Sequence, residues 1–496
     1  MRRRLQSARP SSALRRSAFR PALTAVLPPM ALTLALGLWG IRRQNSMWGD
    51  EAVTYELAQR SVLHIWRTAQ HIDLVHALYY TLMHGLFGLF GEGLLTLRLP
   101  SVLAMSVAAA GVAVLGLRLA GLRAGLLAGT VFPLIPQVQQ YTQEGRSYAM
   151  VCALATWSTL LLLAAASGRS RRWWAGYAVV MLTACLLHEF AVLLLPAHGV
   201  TLVVSRVERR VLRGWTKAAG CVLGGTLPLV AHSARQSGQV AWIGFPDPVQ
   251  LLGLAAMALV GVWCARHLLQ GGRGTVPLPT LALPILLLPG LLLLLLSPVK
   301  PLFVDRYVLY STVGFALLLG AGLDRAWGPR TPTWPRWPAW LAVTAVVAAL
   351  VPVSVHLRTP ESRRDDVIAI GRAVRQAAEP GDGLLYLPGR RRVWTQARPR
   401  DTRNLTDLAL AQDPVASDTL SGTELPARDI TARMRAFARI VVVHDREGEP
   451  LDMSPEGRAK RRTLDRYFHE CGTTTVEGAR ITVHARGRTP CSPFTG

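Results

Sequence analysis

Apolar residues in this 496-residue chain are gathered into blocks, not dispersed. Runs of about 17 to 23 of them recur, each long enough as a helix to cross roughly 30 Å of hydrocarbon. The first covers 21–41; further candidate spans fall at 98–118, 122–140, 147–168, 173–188, 190–205, 216–233, 249–266, 278–297, 306–323 and 338–356. With the first run included, the pattern predicts about eleven crossings. The stretch 78–91 is apolar too, but it is short and contains His84, so it is read as a helix lying at the surface. Beyond His356 charges become frequent and no spanning run follows. There a helical periodicity over 363–378 ends in the turn Glu379-Pro380-Gly381-Asp382-Gly383; 384–387, 440–443 and 481–484 read as strands and 455–470 as a helix. The expected fold is an all-α polytopic membrane domain followed by a small α/β domain.

Composition agrees: half of the residues are hydrophobic and mean hydropathy is +0.27 at a net charge of +25. That charge does not indicate nucleic acid, because the arginines sit in short loops between apolar blocks, where they set topology. Arg2, Arg3, Arg4, Arg9, Arg15, Arg16 and Arg20 precede the first run, which is too long for a cleaved signal peptide and lacks a small-residue cleavage site. It reads as an uncleaved anchor with a cytoplasmic N-terminus. Alternating the spans from there puts Arg118, Arg123, Arg169, Arg171, Arg172, Arg206, Arg209, Arg210, Arg213, Lys217, Arg266, Arg273, Arg325, Arg330 and Arg336 inside. The expected organisation is a basic segment 1–20, a transmembrane domain 21–357 with a first outer loop 42–97, and an extracytoplasmic domain 358–496, in a multi-pass protein of the plasma membrane. Cys471 and Cys491 alone lie in that last domain, and an oxidising exterior permits them to pair.

With this topology the ionisable residues that do not set topology collect on the outer side: Asp50, Glu51, Asp73, Glu144, Arg146, His188, Lys300 and Arg306. Trp48-Gly49-Asp50-Glu51-Ala52 follows the first apolar run directly, where adjacent carboxylates need a cation, a hydrogen bond or a proton wherever they lose water. A plain reading exists, since an acidic pair at a helix start is favoured by the helix dipole. Were a sugar to be transferred at the outer surface, where neither ATP nor nucleotide sugars are available, its donor would be a sugar already activated as a polyprenyl phosphate. Such a displacement needs a carboxylate to take the acceptor proton, for which Asp50 and Glu51 are candidates. It also needs cations on the leaving phosphate, for which Arg306, Arg146 and Lys300 are candidates. A divalent metal at His71, Asp73 and His76 is not predicted, since such spacing is weakly specific, and no other cofactor is expected.

Five ordered elements carry a resemblance: Trp48 to Ala52, Asp73 to Tyr80, Leu97-Arg98-Leu99-Pro100-Ser101, Tyr141-Thr142-Gln143-Glu144-Gly145-Arg146-Ser147-Tyr148, and Arg306-Tyr307. Together they resemble the GT-C fold, polyprenyl-phosphate-dependent glycosyltransferases, a group that includes protein O-mannosyltransferases and the lipid A aminoarabinose transferase. The likeness covers about residues 20 to 325. It implies that Asp50 is the general base with Glu51 beside it, that Asp73, which keeps a family acidic position, is a further catalytic candidate, and that Glu144 is a second outer acid. Glu144, Tyr148, His76, His188 and Tyr307 are the candidate substrate contacts. The family often reads Asp-x-His-Pro-Pro-x-Tyr-Tyr where this chain has Asp73-Leu74-Val75-His76-Ala77-Leu78-Tyr79-Tyr80, so His76 is shifted by one position and both prolines are missing. The implied activity is inverting transfer of a mannose-type hexose or a pentose from a polyprenyl-phosphate donor to an outer lipid, cell-wall glycan or protein. A lipid or sugar transporter or flippase and a non-catalytic scaffold of the same fold are the alternatives. The Ala-, Arg- and Leu-rich composition suggests a bacterial source.

Overall fold

In the computed structural model, residues 12–168, 170–240, 243–268, 276–327 and 337–487 are described. The apolar runs form helices α1 (Ser12–Leu38), α5 (Leu94–Leu119), α6 (Leu122–Val131), α7 (Pro136–Thr142), α8 (Tyr148–Ala166), α9 (Arg171–Leu187), α10 (Leu194–Val204), α11 (Arg209–Ser233), α12 (Pro248–Leu268), α13 (Leu278–Leu296), α14 (Ser311–Ala326) and α15 (Trp337–His356). Among the described residues, five helical segments are long and apolar enough to cross a membrane: Leu23–Asn45, Leu94–Leu119, Tyr148–Ala166, Pro248–Leu268 and Leu278–Leu296. The predicted run 122–140 is not one helix. It breaks at a 3-10 turn, Phe132–Leu134, because Pro133 and Pro136 each remove a backbone donor. The run 190–205 likewise opens with the 3-10 turn Glu189–Leu193 before α10. Small residues bring three helices close: a Cβ on Gly116 of α5 would meet Gly125 Cα of α6 at 2.7 Å, and one on Gly320 of α14 would meet Ala128 Cα at 2.4 Å.

The segment between α1 and α5 folds into three short helices, α2 (Gly49–Gln59), α3 (Val62–His71) and α4 (Ala77–Phe90). At 14 residues α4 is only about 21 Å long, shorter than the roughly 30 Å of a hydrocarbon core. Asp50 and Glu51 occupy the first turn of α2, where the dipole favours them.

After α15 the chain forms α16 (Val367–Ala377), β1 (Gly383–Leu387), α17 (Val393–Gln396), β2 (Thr406–Asp407), β3 (Leu410–Gln412), β4 (Thr423–Glu424), α18 (Ala427–Arg435), β5 (Arg439–Asp445), α19 (Pro455–Tyr467), β6 (Phe468–Val476) and β7 (Ala479–Arg486). The main sheet has the order β2-β1-β5-β7-β6, with β1 parallel to β2 and β5 and the β5–β7 and β7–β6 pairs antiparallel. Alternation sorts its two faces: Leu384, Tyr386, Val441 and Val443 pack with α16, whereas Leu385, Leu387, Ile440 and Val442 pack with Ile430, Met434 and Leu464 of α18 and α19. The expected helix 455–470 ends at Tyr467, because 468–476 joins the sheet as the edge strand β6, whose sparse apolar content hid it. Cys471 is disulfide-bonded; its predicted partner Cys491 lies outside the described residues.

One buried cluster ties the bundle to the outer loop. Arg98 of α5 donates from Nε and Nη2 to the two Glu51 carboxylate oxygens at 2.7 and 2.6 Å. Its remaining donors reach the carbonyls of Ile41 at 2.7 Å and Ser46 at 2.7 Å. Glu51 also accepts the Gly145 N–H at 3.0 Å and lies 3.5 Å from Arg43, which donates to the Gln143 carbonyl at 2.6 Å. Arg43, Gln44 and Asn45 all have positive φ, a conformation costing non-glycine residues about 1–2 kcal/mol each, and the Arg98 bonds to both flanking carbonyls hold it. Replacing Arg98 by Ala leaves a buried carboxylate short of its main partner, so we expect a loss of about 3 kcal/mol or more, read as a lower melting temperature in detergent. Arg98→Lys should not restore it, since one ammonium cannot span these acceptors; a wild-type melting temperature for either variant would show that the cluster is dispensable.

Candidate active site

Where α8 and α14 begin and α9, α11 and α13 end, the bundle opens into a cavity of about 580 Å³. One part of its wall is polar, with Asp50, Asp73, His76, Arg146, His188, Lys300 and Arg306; another is apolar, with Val192, Leu193, Val230, Leu293, Leu296 and Leu302. A charged head and an apolar chain would each find a matching wall.

Asp50 and Glu51 are neighbours in sequence, but consecutive residues on a helix point about 100° apart. Glu51 therefore turns into the protein, fully buried in the cluster around Arg98, while Asp50 turns into the cavity with its side chain 32% exposed. Burial alone would raise the Glu51 carboxyl, but Arg98, Arg43 and the Gly145 N–H outweigh it and hold the group at about 2. Its hydrogen-bonding capacity is spent on structure. Asp50 instead faces Arg306, whose Nη2 lies 3.6 Å from Asp50 Oδ2. The Arg306 guanidinium also lies over the rings of Trp48, Tyr148 and Tyr307, at 5.7, 5.8 and 5.7 Å from their centroids. Its approach to Asp50 is thus set by three aromatic surfaces.

Arg146 is placed by the tight turn around it. The Ser101 hydroxyl donates to the carbonyls of Glu144 and Arg146, at 2.5 and 3.3 Å, and Gly145 is held by Glu51. A side chain at 145 would also strike Leu97, at 2.5 Å from a Cβ. From this turn Arg146 donates to the Tyr80 hydroxyl at 2.8 Å, lies 3.8 Å from Asp73, and leaves its Nε without a hydrogen-bond partner. Tyr80 in turn donates to Asp73. Asp73 stands in a left-handed conformation, φ +62°, at the head of a 3-10 turn, Leu74–His76. Despite its shift in sequence, His76 lines the cavity, its ring 5.6 Å from that of His188 and 6.1 Å from that of Tyr148. Tyr307 stacks on Phe190 at 5.2 Å and lies 4.7 Å from the His188 ring.

Of the expected residues, Asp50, Asp73, His76, Arg146, Tyr148, His188, Lys300, Arg306 and Tyr307 line this one cavity, whereas Glu51 and Glu144 do not. Glu144 is buried behind Arg146, with Arg363 of the chain beyond α15 at 3.4 Å; burial pushes it up to about 7 against the pull of that arginine. Among the described residues no group of three or more His, Cys, Asp or Glu side chains could hold a metal. Sequence reasoning missed three contributions from the last domain. Asp365 Oδ1 accepts the Gly49 N–H at 2.6 Å, and Asp366 Oδ1 accepts the Met47 N–H at 3.2 Å, so both fasten the stretch that carries Asp50. Leu420 reaches the cavity itself. Consecutive aspartates before a helix signal a cap, and Asp366 does cap α16, but nothing local reveals the second partner.

A helical membrane domain with this charged and apolar cavity at one end, followed by a small sheet domain, defines the class: a membrane protein of the GT-C fold. Residues 76–232 match the family model described as dolichyl-phosphate-mannose-protein mannosyltransferase. Among solved structures the chain is similar to ArnT from Cupriavidus metallidurans bound to undecaprenyl phosphate, with a TM-score of 0.58 and 14% identity over 94% of this chain and 99% of that one. The apo state of that ArnT gives 0.56 and 14%, over 92% and 97%. The apo oligosaccharyltransferase of Archaeoglobus fulgidus gives 0.50 and 10%, over 86% and 69%. No curated protein matches the chain by sequence. The GT-C resemblance drawn from the five elements is shown by these matches.

Glu144 titrates at about 7 when folded against 4.5 for a free side chain, so the folded protein binds the extra proton between those values. Stability should therefore fall as pH rises from about 5 to about 7. Glu144→Gln should flatten that fall in detergent melting curves; an unchanged slope would mean that Glu144 is ionised throughout.

Proposed function

We propose that this protein is an inverting membrane glycosyltransferase that moves a mannose-type hexose or a pentose from polyprenyl phosphate to an extracytoplasmic lipid, glycan or protein. The single observation that carries the reading is the pairing of Asp50 with Arg306 in the wall of a cavity that Arg146 and Lys300 also line, beside an apolar wall. The ArnT structure that shares this fold was solved with undecaprenyl phosphate, which supports a lipid phosphate as the donor's carrier here. The loop arginines support a multi-pass plasma-membrane protein with a cytoplasmic N-terminus and with the cavity and soluble domain outside.

In this reading the donor's phosphate lies between Arg306, Arg146 and Lys300 while its chain follows Leu293, Leu296 and Leu302. An arginine roughly 4 Å from a phosphate charge attracts it by about 4 kcal/mol at an effective dielectric near 20, before desolvation. The acceptor hydroxyl gives its proton to Asp50 as its oxygen bonds to the anomeric carbon. The bond from that carbon to the phosphate oxygen breaks, and its electron pair leaves with polyprenyl phosphate. A phosphate arriving beside Arg306 competes with Asp50 for the guanidinium, freeing the carboxylate to act as base when the donor is in place. His76 and His188, both buried, and the rings of Tyr148 and Tyr307 form the wall against which the sugar would lie. Asp73, held by Tyr80 and Arg146, serves to orient Arg146.

The test follows labelled sugar from polyprenyl-phosphate sugar in membranes containing wild type, Asp50→Asn or Arg306→Ala. Wild type should release polyprenyl phosphate and label an acceptor. Asp50→Asn should insert and fold but lose about 10²- to 10⁴-fold in rate, the range for a lost general base. Full activity of Asp50→Asn would overturn the base assignment, and absence of any donor consumption by wild type would overturn the transferase reading.

A further inference from the structure

Among the described residues one side chain from beyond α15 lines the cavity: Leu420, in the loop between β3 and β4. Leu420 also packs on the hydrophobic core of the bundle, although its own domain has separate cores. The loop has a built internal shape. Asp413 Oδ1 accepts the N–H groups of Val415 and Ala416, and the Thr419 hydroxyl accepts the Gly422 N–H at 2.9 Å. A rigid loop of this kind can be placed by a few bonds, and the outer helices supply them. Arg60, at the end of α2 and buried, donates to Glu56 and to Thr68, and then across the domain boundary to the carbonyls of Pro414 at 3.3 Å and Thr419 at 2.8 Å. Beside it, His64 Nδ1 of α3 lies 2.9 Å from Asp418, a residue held at φ +50°. A buried guanidinium that completes its hydrogen bonds on another domain's backbone is costly to leave unpaired, so it holds the loop in one place.

We propose that the β3–β4 loop, latched by Arg60, is a cap over the reaction centre, and that Leu420 decides whether water or the acceptor reaches Asp50. The proposal rests on the transferase reading above. A single displacement with one carboxylate base is open to water as a competing nucleophile: a water oxygen would bond to the anomeric carbon, its proton would pass to Asp50, and polyprenyl phosphate would leave with the broken bond's electron pair, wasting the donor. An apolar side chain lining the cavity excludes that water, and an acceptor large enough to displace or pack on Leu420 does not meet the same barrier. The soluble domain is in this view part of the active site and a determinant of what is glycosylated.

Two measurements test this separately. In full-length protein with Cys221→Ser, Leu420→Cys should react slowly with a membrane-impermeant maleimide. Adding Arg60→Ala should speed that labelling about 10-fold or more, the loss expected when charge-assisted hydrogen bonds holding a closed state are removed. Equal labelling rates with and without Arg60 would overturn the latch, whatever the protein catalyses. The second measurement is release of polyprenyl phosphate by purified protein from polyprenyl-phosphate mannose or pentose with water as the acceptor. Leu420→Ala should raise this hydrolysis severalfold and Leu420→Met should keep it at the wild-type level. If wild type consumes donor in membranes but Leu420→Ala leaves hydrolysis unchanged, the cap is overturned while the transferase reading stands. If the labelling behaves as expected and no donor is ever consumed, the transferase reading falls and the latched cap remains.

Discussion

The buried pair between Arg98 and Glu51 is the constraint on which the rest of the candidate site depends. Two charges taken from water need a near-complete set of partners, and here they find them in four separate pieces of chain: the segment after α1, the first turn of α2, the turn before α8, and α5 itself. Because the partners are scattered, satisfying the pair forces those pieces together. Asp50 is then aimed into the cavity by its place one residue before Glu51, and Arg146 by its place one residue after Gly145. A replacement by well-packed apolar residues could match the stability of the pair, but it would carry none of this directional information.

The same arrangement extends into the soluble domain. Met47 and Ala52, which flank the acidic pair, are buried in the core made by α16 and the sheet, while Asp365 and Asp366 accept the N–H groups of Gly49 and Met47. Arg358 wraps the end of α1 through the carbonyls of Leu36 and Trp39, and Arg363 reaches the Gln140 carbonyl. These contacts involve backbone groups left without partners where helices end, which is where a second domain can bond without disrupting the first. The stretch carrying Asp50 is therefore packed from both sides. Rigidity of this sort is what a displacement reaction needs, since misplacing the base by about 1 Å is enough to cost it much of its effect.

Much of the architecture could be read from the chain alone. Apolar runs predicted the helices, a change in charge density after His356 predicted the second domain, and five short elements in order predicted the fold, because each of these is a property of contiguous residues. Nine of the candidate site residues line one cavity, seven from those elements and two, His188 and Lys300, from the grouping of ionisable residues on the outer side. Residue type and spacing by themselves did not distinguish Asp50 from Glu51; only the family resemblance favoured Asp50. Two adjacent carboxylates look alike until the helix beneath them gives each its own direction. Nor did spacing separate Glu144 from Arg146, two residues apart in one motif and on opposite sides of one turn.

What only the tertiary structure decided are pairings between residues hundreds of positions apart: Gly49 with Asp365, Glu144 with Arg363, Arg60 with Thr419, and Leu420 with the cavity. Hydropathy and local spacing determine which segments become helices or strands and which side chains carry the chemistry, because those depend on neighbours along the chain. They carry no record of which loop of a later domain closes over an earlier one, since that choice is made by shape and by the demand that every buried charge and backbone donor find a partner.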